Sequence, residues 1–185
     1  NALPELGAHI AAQKDTPIDA EGSNAVFAAG ALTISGGDFA VNSRSDAFNC
    51  GGRLIVTGGS IDTKTDRTAF FSSATINFSG GNINTDYCLD GIEAKLANIS
   101  GGNIYINARS TAFSVDTVVT QSGGTVVSLS AKSGVNGRGI YTVTGGTVFA
   151  AGDLPAHKAT VVRNAELSST AKAAANILLA VTDER

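Results

Sequence analysis

Ser79-Gly80-Gly81-Asn82-Ile83-Asn84-Thr85 is repeated 21 residues later as Ser100-Gly101-Gly102-Asn103-Ile104-Tyr105-Ile106. The opening triplet recurs as Ser35-Gly36-Gly37, Thr57-Gly58-Gly59, Ser122-Gly123-Gly124 and Thr144-Gly145-Gly146. The first glycine of each pair falls at 36, 58, 80, 101, 123 and 145, giving intervals of 22, 22, 21, 22 and 22. A fixed period of this size marks a solenoid, in which each repeat buries its apolar face only against its neighbours.

The flanks of each pair specify the kind of solenoid. Leu32-Thr33-Ile34, Leu54-Ile55-Val56, Ile76-Asn77-Phe78 and Tyr141-Thr142-Val143 precede it; Phe39 and Val41, Ile61 and Thr63, Ile83 and Thr85, Ile104 and Ile106, Val126 and Ser128 follow it. Alternation with period two and many β-branched residues predicts strands on both sides of the pair. A third block reads Asp46-Ala47-Phe48, Thr68-Ala69-Phe70, Asp90-Gly91-Ile92, Thr111-Ala112-Phe113 and Ser133-Gly134-Val135. It keeps the same spacing, which places the one-residue deletion between Glu93 and Asn98. Three short strands and three corners per repeat predict a triangular coil, right-handed as parallel crossovers favour, with Phe48, Phe70, Ile92, Phe113 and Val135 stacked as an internal ladder.

The expected organisation is one all-β domain over residues 1–185: a half-rung cap over 1–30, six rungs marked by the glycine pairs over 31–152, and a cap over 153–185. Ala25-Val26-Phe27 resembles the third block. Asn164 as N-cap, with Leu167, Ala171, Ala174 and Leu178 on one face, predicts a capping helix over 164–180; a final strand through Ile177-Leu178-Leu179 is the alternative.

Composition excludes several partners. With 13 basic and 16 acidic residues, a net charge of −3 and no basic cluster, there is no footprint for nucleic acid. No apolar run reaches the length of a bilayer span, so membrane insertion is not expected. The absence of Met, even at position 1, reads as a mature or excised piece. Cys50 and Cys88 sit two rungs apart in different columns, too far for a disulfide, and are expected as buried free thiols.

Leu89-Asp90-Gly91-Ile92-Glu93-Ala94-Lys95, running on to Ile99-Ser100-Gly101-Gly102-Asn103-Ile104-Tyr105-Ile106, resembles the "carbohydrate-binding domain-containing" β-helix family of bacterial secreted and surface proteins. Ser45-Asp46-Ala47-Phe48-Asn49-Cys50-Gly51-Gly52, followed by Leu54-Ile55-Val56-Thr57-Gly58-Gly59, is similar to the same pattern. The resemblance covers about residues 32–150 and implies a fold like that of polysaccharide lyases, an extracellular or cell-surface location, and polysaccharide binding with calcium but without clear catalysis. Asp90-Gly91 is the one intact Asp-Gly pair, Ala standing for Gly in most other rungs.

If Ile61 and Thr63 point inward, Asp62 and Lys64 point outward, with Asn84 and Asp86, then Tyr105 and Asn107, on the rungs above. Flanked by Arg44, Asp66 and Arg109, this patch offers the planar hydrogen-bonding groups and the aromatic ring that a sugar needs, so Asp62, Lys64, Asn84, Tyr105, Asn107 and Arg109 are the candidate ligand-binding residues. The plain alternative is a solvated face with a Lys64–Asp86 pair. Asp66, Asp86 and Asp90 are the candidate calcium ligands, hard oxygen donors on neighbouring rungs whose shell corner carbonyls or water would complete; isolated surface carboxylates are the alternative.

Asn84-Thr85-Asp86 resembles the Asn-Thr-Asp motif of pectin-cleaving hydrolases, and Asp62 with Asp86 have the separation expected of an inverting pair. The Asp-Asp and Gly-His-Gly motifs of those enzymes are missing, and His9 and His157 lie outside the repeats. The reading is therefore a non-catalytic extracellular polysaccharide-binding module. The alternatives are a rigid spacer or adhesin stalk of a larger surface protein, a degenerate pectin-type lyase or hydrolase, and an ice-binding face along Asp38, Ser60, Asn82, Asn103, Thr125 and Thr147.

Overall fold

The computed structural model describes residues 8–11, 16–20, 24–131, 133–135, 140–151 and 177–181. They form a right-handed parallel β-helix, all strand and turn. Three stacks of parallel strands run up the coil. On the first, Ala8 pairs with Leu32, Leu32 with Leu54 and Leu54 with Ile76. On the second, Thr16, Phe39, Ile61 and Ile83 follow one another. The third runs Val26, Phe48, Phe70 and Ile92, with Phe113 paired to Val135 further up.

The apolar columns predicted from the period form the core. Leu32, Leu54, Ile76, Phe48, Phe70, Ile92 and Phe113 are fully shielded. The Phe48 and Phe70 rings stack with centroids 5.2 Å apart and planes 3° from parallel. Identical side chains on successive parallel strands have this geometry open to them because the strands lie about 4.8 Å apart. The core also holds polar pairs that fix the register: Thr63 donates to the Thr85 hydroxyl at 2.9 Å, and Tyr141 to the Gln121 side-chain oxygen at 2.7 Å.

The second glycine of each pair has positive φ, between 73° and 94° over Gly37, Gly59, Gly81, Gly102, Gly124 and Gly146. It makes the corner between first and second faces. The shortened rung is visible where expected: the Lys95 and Leu96 amides both donate to the Ala74 carbonyl, at 3.0 and 3.3 Å. Cys50 and Cys88 are buried free thiols.

Two expectations are corrected. The N-terminal region is more than a half-rung: Ala8–Ala11, Thr16–Ala20 and Val26–Ala28 supply one strand to each face. The strand Thr16–Ala20 is hard to read because no glycine pair precedes it and it contains Pro17, a residue tolerated on strands at a sheet edge. At the other end, Ile177–Val181 is a strand, antiparallel to Thr147–Ala151, where the predicted capping helix would have its last turn. The alternative strand through Ile177-Leu178-Leu179 is the one observed; the remainder of the predicted helix lies outside the described residues. Edge pairing satisfies backbone groups of Thr147–Ala151 directly, which a helix laid across the end does not. Among the described residues no helix is long and apolar enough to cross a membrane.

Candidate functional site

The second face carries the outward patch. Ser60–Thr65 alternates between exposed and buried side chains, so Asp62 and Lys64 face solvent while Ile61 and Thr63 enter the core. Asp62 lies in register with Asn84, and the Asn84 amide donates to the Asp62 carboxylate at 2.9 Å. Lys64 meets Asp86 at 3.2 Å, both side chains more than half exposed. Asn107 donates to the Asp86 carbonyl at 3.1 Å. Ala40, Asn42, Asp62, Lys64, Asn84 and Asp86 line an open depression of about 420 Å³ on this face. Tyr105, on the rung above Asn84, is half-buried.

A bulge at Asp86-Tyr87 interrupts the alternation. Thr63 pairs with Thr85, but Lys64 pairs with Tyr87, so Asp86 and Tyr87 both face outward before the chain turns Cys88 into the core. A bulge re-aims side chains in this way at the cost of one ladder position. Tyr87 is 41% exposed, and the Arg109 guanidinium lies over its ring, 4.5 Å from the centroid. Arg109 also donates to the Asp66 carbonyl at 3.1 Å, so it braces the corner across two rungs. Tyr87 is the site residue that strict alternation misses, since it assigns the position to the core; the small apolar Cys88, one place late, is the only trace of the shift.

Asp62, Lys64, Asn84 and Asp86 are therefore brought together around one depression, with Asn107 bonded to the Asp86 backbone and Arg109 beside Tyr87. The three candidate calcium ligands are not brought together in the same way. Asp86 is engaged by Lys64, and Asp90 accepts the Thr111 amide at 3.0 Å, a cross-rung corner cap. Asp66 is represented by its carbonyl, bound to Arg109. Among the described residues no three His, Cys, Asp or Glu side chains form a group able to hold a metal ion. Calcium at this trio is thus not supported by the geometry. The two carboxylates that the hydrolase likeness needs, Asp62 and Asp86, are turned to Asn84 and Lys64.

The third face carries a second depression, of about 300 Å³, lined by Phe71, Ser73, Glu93, Lys95, Ser114 and Asp116 among others. Burial raises the Glu93 carboxyl above the ordinary carboxylate range, partly offset by the hydrogen bond that it accepts from Thr68 at 3.1 Å. Asp90 and Asp46 nearby push in the same direction as burial.

The sequence model of one family, described as carbohydrate-binding domain-containing protein, matches residues 16–156. The match spans every rung on which these two depressions lie. Comparison with curated proteins and with solved structures gives no match for this chain.

Proposed function

Because the chain belongs to the family of carbohydrate-binding domain-containing proteins, we propose that it is a non-catalytic polysaccharide-binding module acting outside the cell, with the second face as its binding surface. The observation that carries this reading is the bulge: it sets an exposed tyrosine ring, backed by Arg109, beside a depression lined by Asp62, Lys64, Asn84 and Asp86. A sugar ring presents an apolar face edged with hydroxyls, and the natural complement is an aromatic surface beside carboxylates and amides that accept and donate. The columns repeat every rung, so a glycan chain lying along the solenoid axis meets Asp62, Asn84 and Tyr105 in turn. Within the depression itself two carboxylates, Asp62 and Asp86, stand against Lys64, which favours a neutral polymer over a polyuronate. Recognition through these groups needs no metal.

The test is retention of the protein by immobilised soluble polysaccharides in affinity electrophoresis: xyloglucan, mixed-linkage β-glucan and polygalacturonate, with calcium and with chelator. Retention by a neutral polymer, unchanged by chelator, is expected. Tyr87→Ala should weaken it about tenfold, the loss of one stacked ring. No retention on any polymer removes this reading and leaves a rigid surface spacer, for which the mutual pairing of Asn84 with Asp62 and Lys64 with Asp86 is the favouring observation. Release of oligosaccharides would bring back the hydrolase, and retention lost on chelation would bring back calcium.

A further inference from the structure

The third face holds a set of groups that the second face does not use. Its outward column runs Phe27, Asn49, Phe71 and Glu93, each in register with the next. Phe27 is 65% exposed, the most exposed large apolar side chain among the described residues. Phe71 is half-buried and forms part of the wall of the 300 Å³ depression, with Glu93, Lys95 and Asp116 around it. A single exposed phenylalanine needs no explanation. An exposed and a half-buried phenylalanine in one column, on a parallel sheet and continuous with a polar depression, are a different matter.

We propose that this face is a second carbohydrate site, taking a neutral, extended β-linked glycan that runs along the solenoid axis; the proposal rests on the carbohydrate-binding reading above. Phe27 and Phe71 are two rungs apart, hence about 10 Å from each other along the axis. In an extended β-linked chain every second sugar turns the same face to one side, so alternate rings can lie on the two phenyl groups. The Asn49 side chain is between them, its amide held by the Asp46 carboxylate at 2.7 Å, which leaves its oxygen to accept a hydroxyl. Beyond Phe71, Glu93 reaches the chain from a partly buried position, with Lys95 and Asp116 in the neighbouring column of the depression. Glu93 and Asp116 outnumber Lys95, so a uronate chain is disfavoured here as well. The first and second faces meet at the glycine corner and the third lies on another side of the triangle. One module would therefore hold two separate chains and cross-link them.

The experiment is calorimetric titration of the full chain with a hexasaccharide cut from whichever neutral polysaccharide retains it, together with turbidity of the polymer on adding protein. Two hexasaccharides per chain are expected, and cross-linking turbidity. Phe27→Ala, a change at an exposed position, should lower the affinity of one of the two sites about tenfold and suppress the turbidity. Tyr87→Ala should affect the other site. Glu93→Gln serves as the second third-face variant and should weaken the same site as Phe27→Ala. A stoichiometry of one, with Phe27→Ala and Glu93→Gln binding as the unchanged protein does, overturns the second site and leaves the first intact. A protein that is retained by no neutral polymer overturns both.

Discussion

At the scale of single residues, polar side chains at the corners add to the stability that the apolar core supplies. Asp46 is nearly buried: its carboxylate accepts the Thr68 amide at 3.2 Å and the Asn49 side chain at 2.7 Å, and its own amide donates to Asn24. Removing it strands a buried backbone donor, which costs about 1–3 kcal/mol. Asp46→Ala should therefore lower unfolding stability by that amount in urea titration, and Asp46→Asn, which keeps an acceptor, by clearly less; equal losses would mean that charge, not capping, is what the site needs. Lys64→Ala should change stability by about 0.5 kcal/mol or less, because its ion pair is exposed. The buried Cys88 thiol gives a pH signature. Burial, reinforced by the Asp90 charge and eased by Arg109, pushes it up from 9.0 to about 12. Its folded form holds the proton where the unfolded form has lost it, so its contribution is complete below pH 9 and falls as pH rises towards 12. Between those limits stability should drop about 1.4 kcal/mol per pH unit from this group alone. Denaturant titrations at pH 8, 9.5 and 10.5 should show a shallower fall for Cys88→Ala than for the unchanged protein; parallel slopes would mean that the thiol ionises normally in the folded state.

At the scale of the element, the glycine pair is two residues with different duties. The second has positive φ; at Gly102 it is 87°, and a β-carbon there would lie 2.8 Å from the Gly80 carbonyl oxygen. A β-carbon on the first glycine is also blocked in the stacked rungs, by the Thr57 carbonyl oxygen at Gly80 and by that of Ser79, 2.5 Å away, at Gly101, whereas at Gly36 it has nothing within 4 Å and φ is not positive. Gly36→Ala should be neutral or slightly stabilising, by up to about 1 kcal/mol, while Gly102→Ala should cost more than 1–2 kcal/mol, since strain and collision add. Melting temperatures of the two variants separate these outcomes, and equal effects would show that the pair acts as a flexible unit rather than a defined corner. Repetition is why the elements are legible in sequence: an inward column such as Leu32, Leu54, Ile76 is sampled again in each rung, so one irregular residue does not hide it. The bulge at Asp86-Tyr87 shifts one rung at one place, so apart from Cys88, one position late, the period does not betray it, and the exposed tyrosine is missed with it. Asp90-Gly91 is instructive in the opposite sense. It reads as a family signature, yet in the structure a β-carbon at Gly91 would come within 2.5 Å of the Ile106 side chain and 2.6 Å of the Ala112 carbonyl. Ile106 stands in the column that holds Thr63 and Thr85 lower down, so glycine here is the packing counterpart of a larger neighbour.

At the scale of the whole molecule, a solenoid has two ends whose open strands present unpaired amides and carbonyls to any other chain. The described C-terminal end closes part of this edge with a change of direction: Ile177–Val181 runs antiparallel to the last rung, pairing Thr147 with Val181 and Ala151 with Ile177. Reversal matters because a further parallel strand would only present the same edge again, in register for a second copy. Over 177–180 the last turn of the expected helix gives way to the observed strand, whose backbone partner in Thr147–Ala151 no periodicity records. Removing residues 177–185 should therefore leave the rungs folded, since the three stacks do not depend on that strand, but should uncover the edge at Thr147–Ala151. The far-ultraviolet spectrum should stay β-rich while light scattering rises with protein concentration, as truncated chains pair end to end. Replacing Leu179 by Pro in the full-length chain removes an amide donor from the middle of the strand and should give the same association more weakly. A truncated chain that stays monomeric over a hundredfold concentration range would place the protection elsewhere. One that loses its β spectrum would make the terminal strand part of the folding unit rather than its cover.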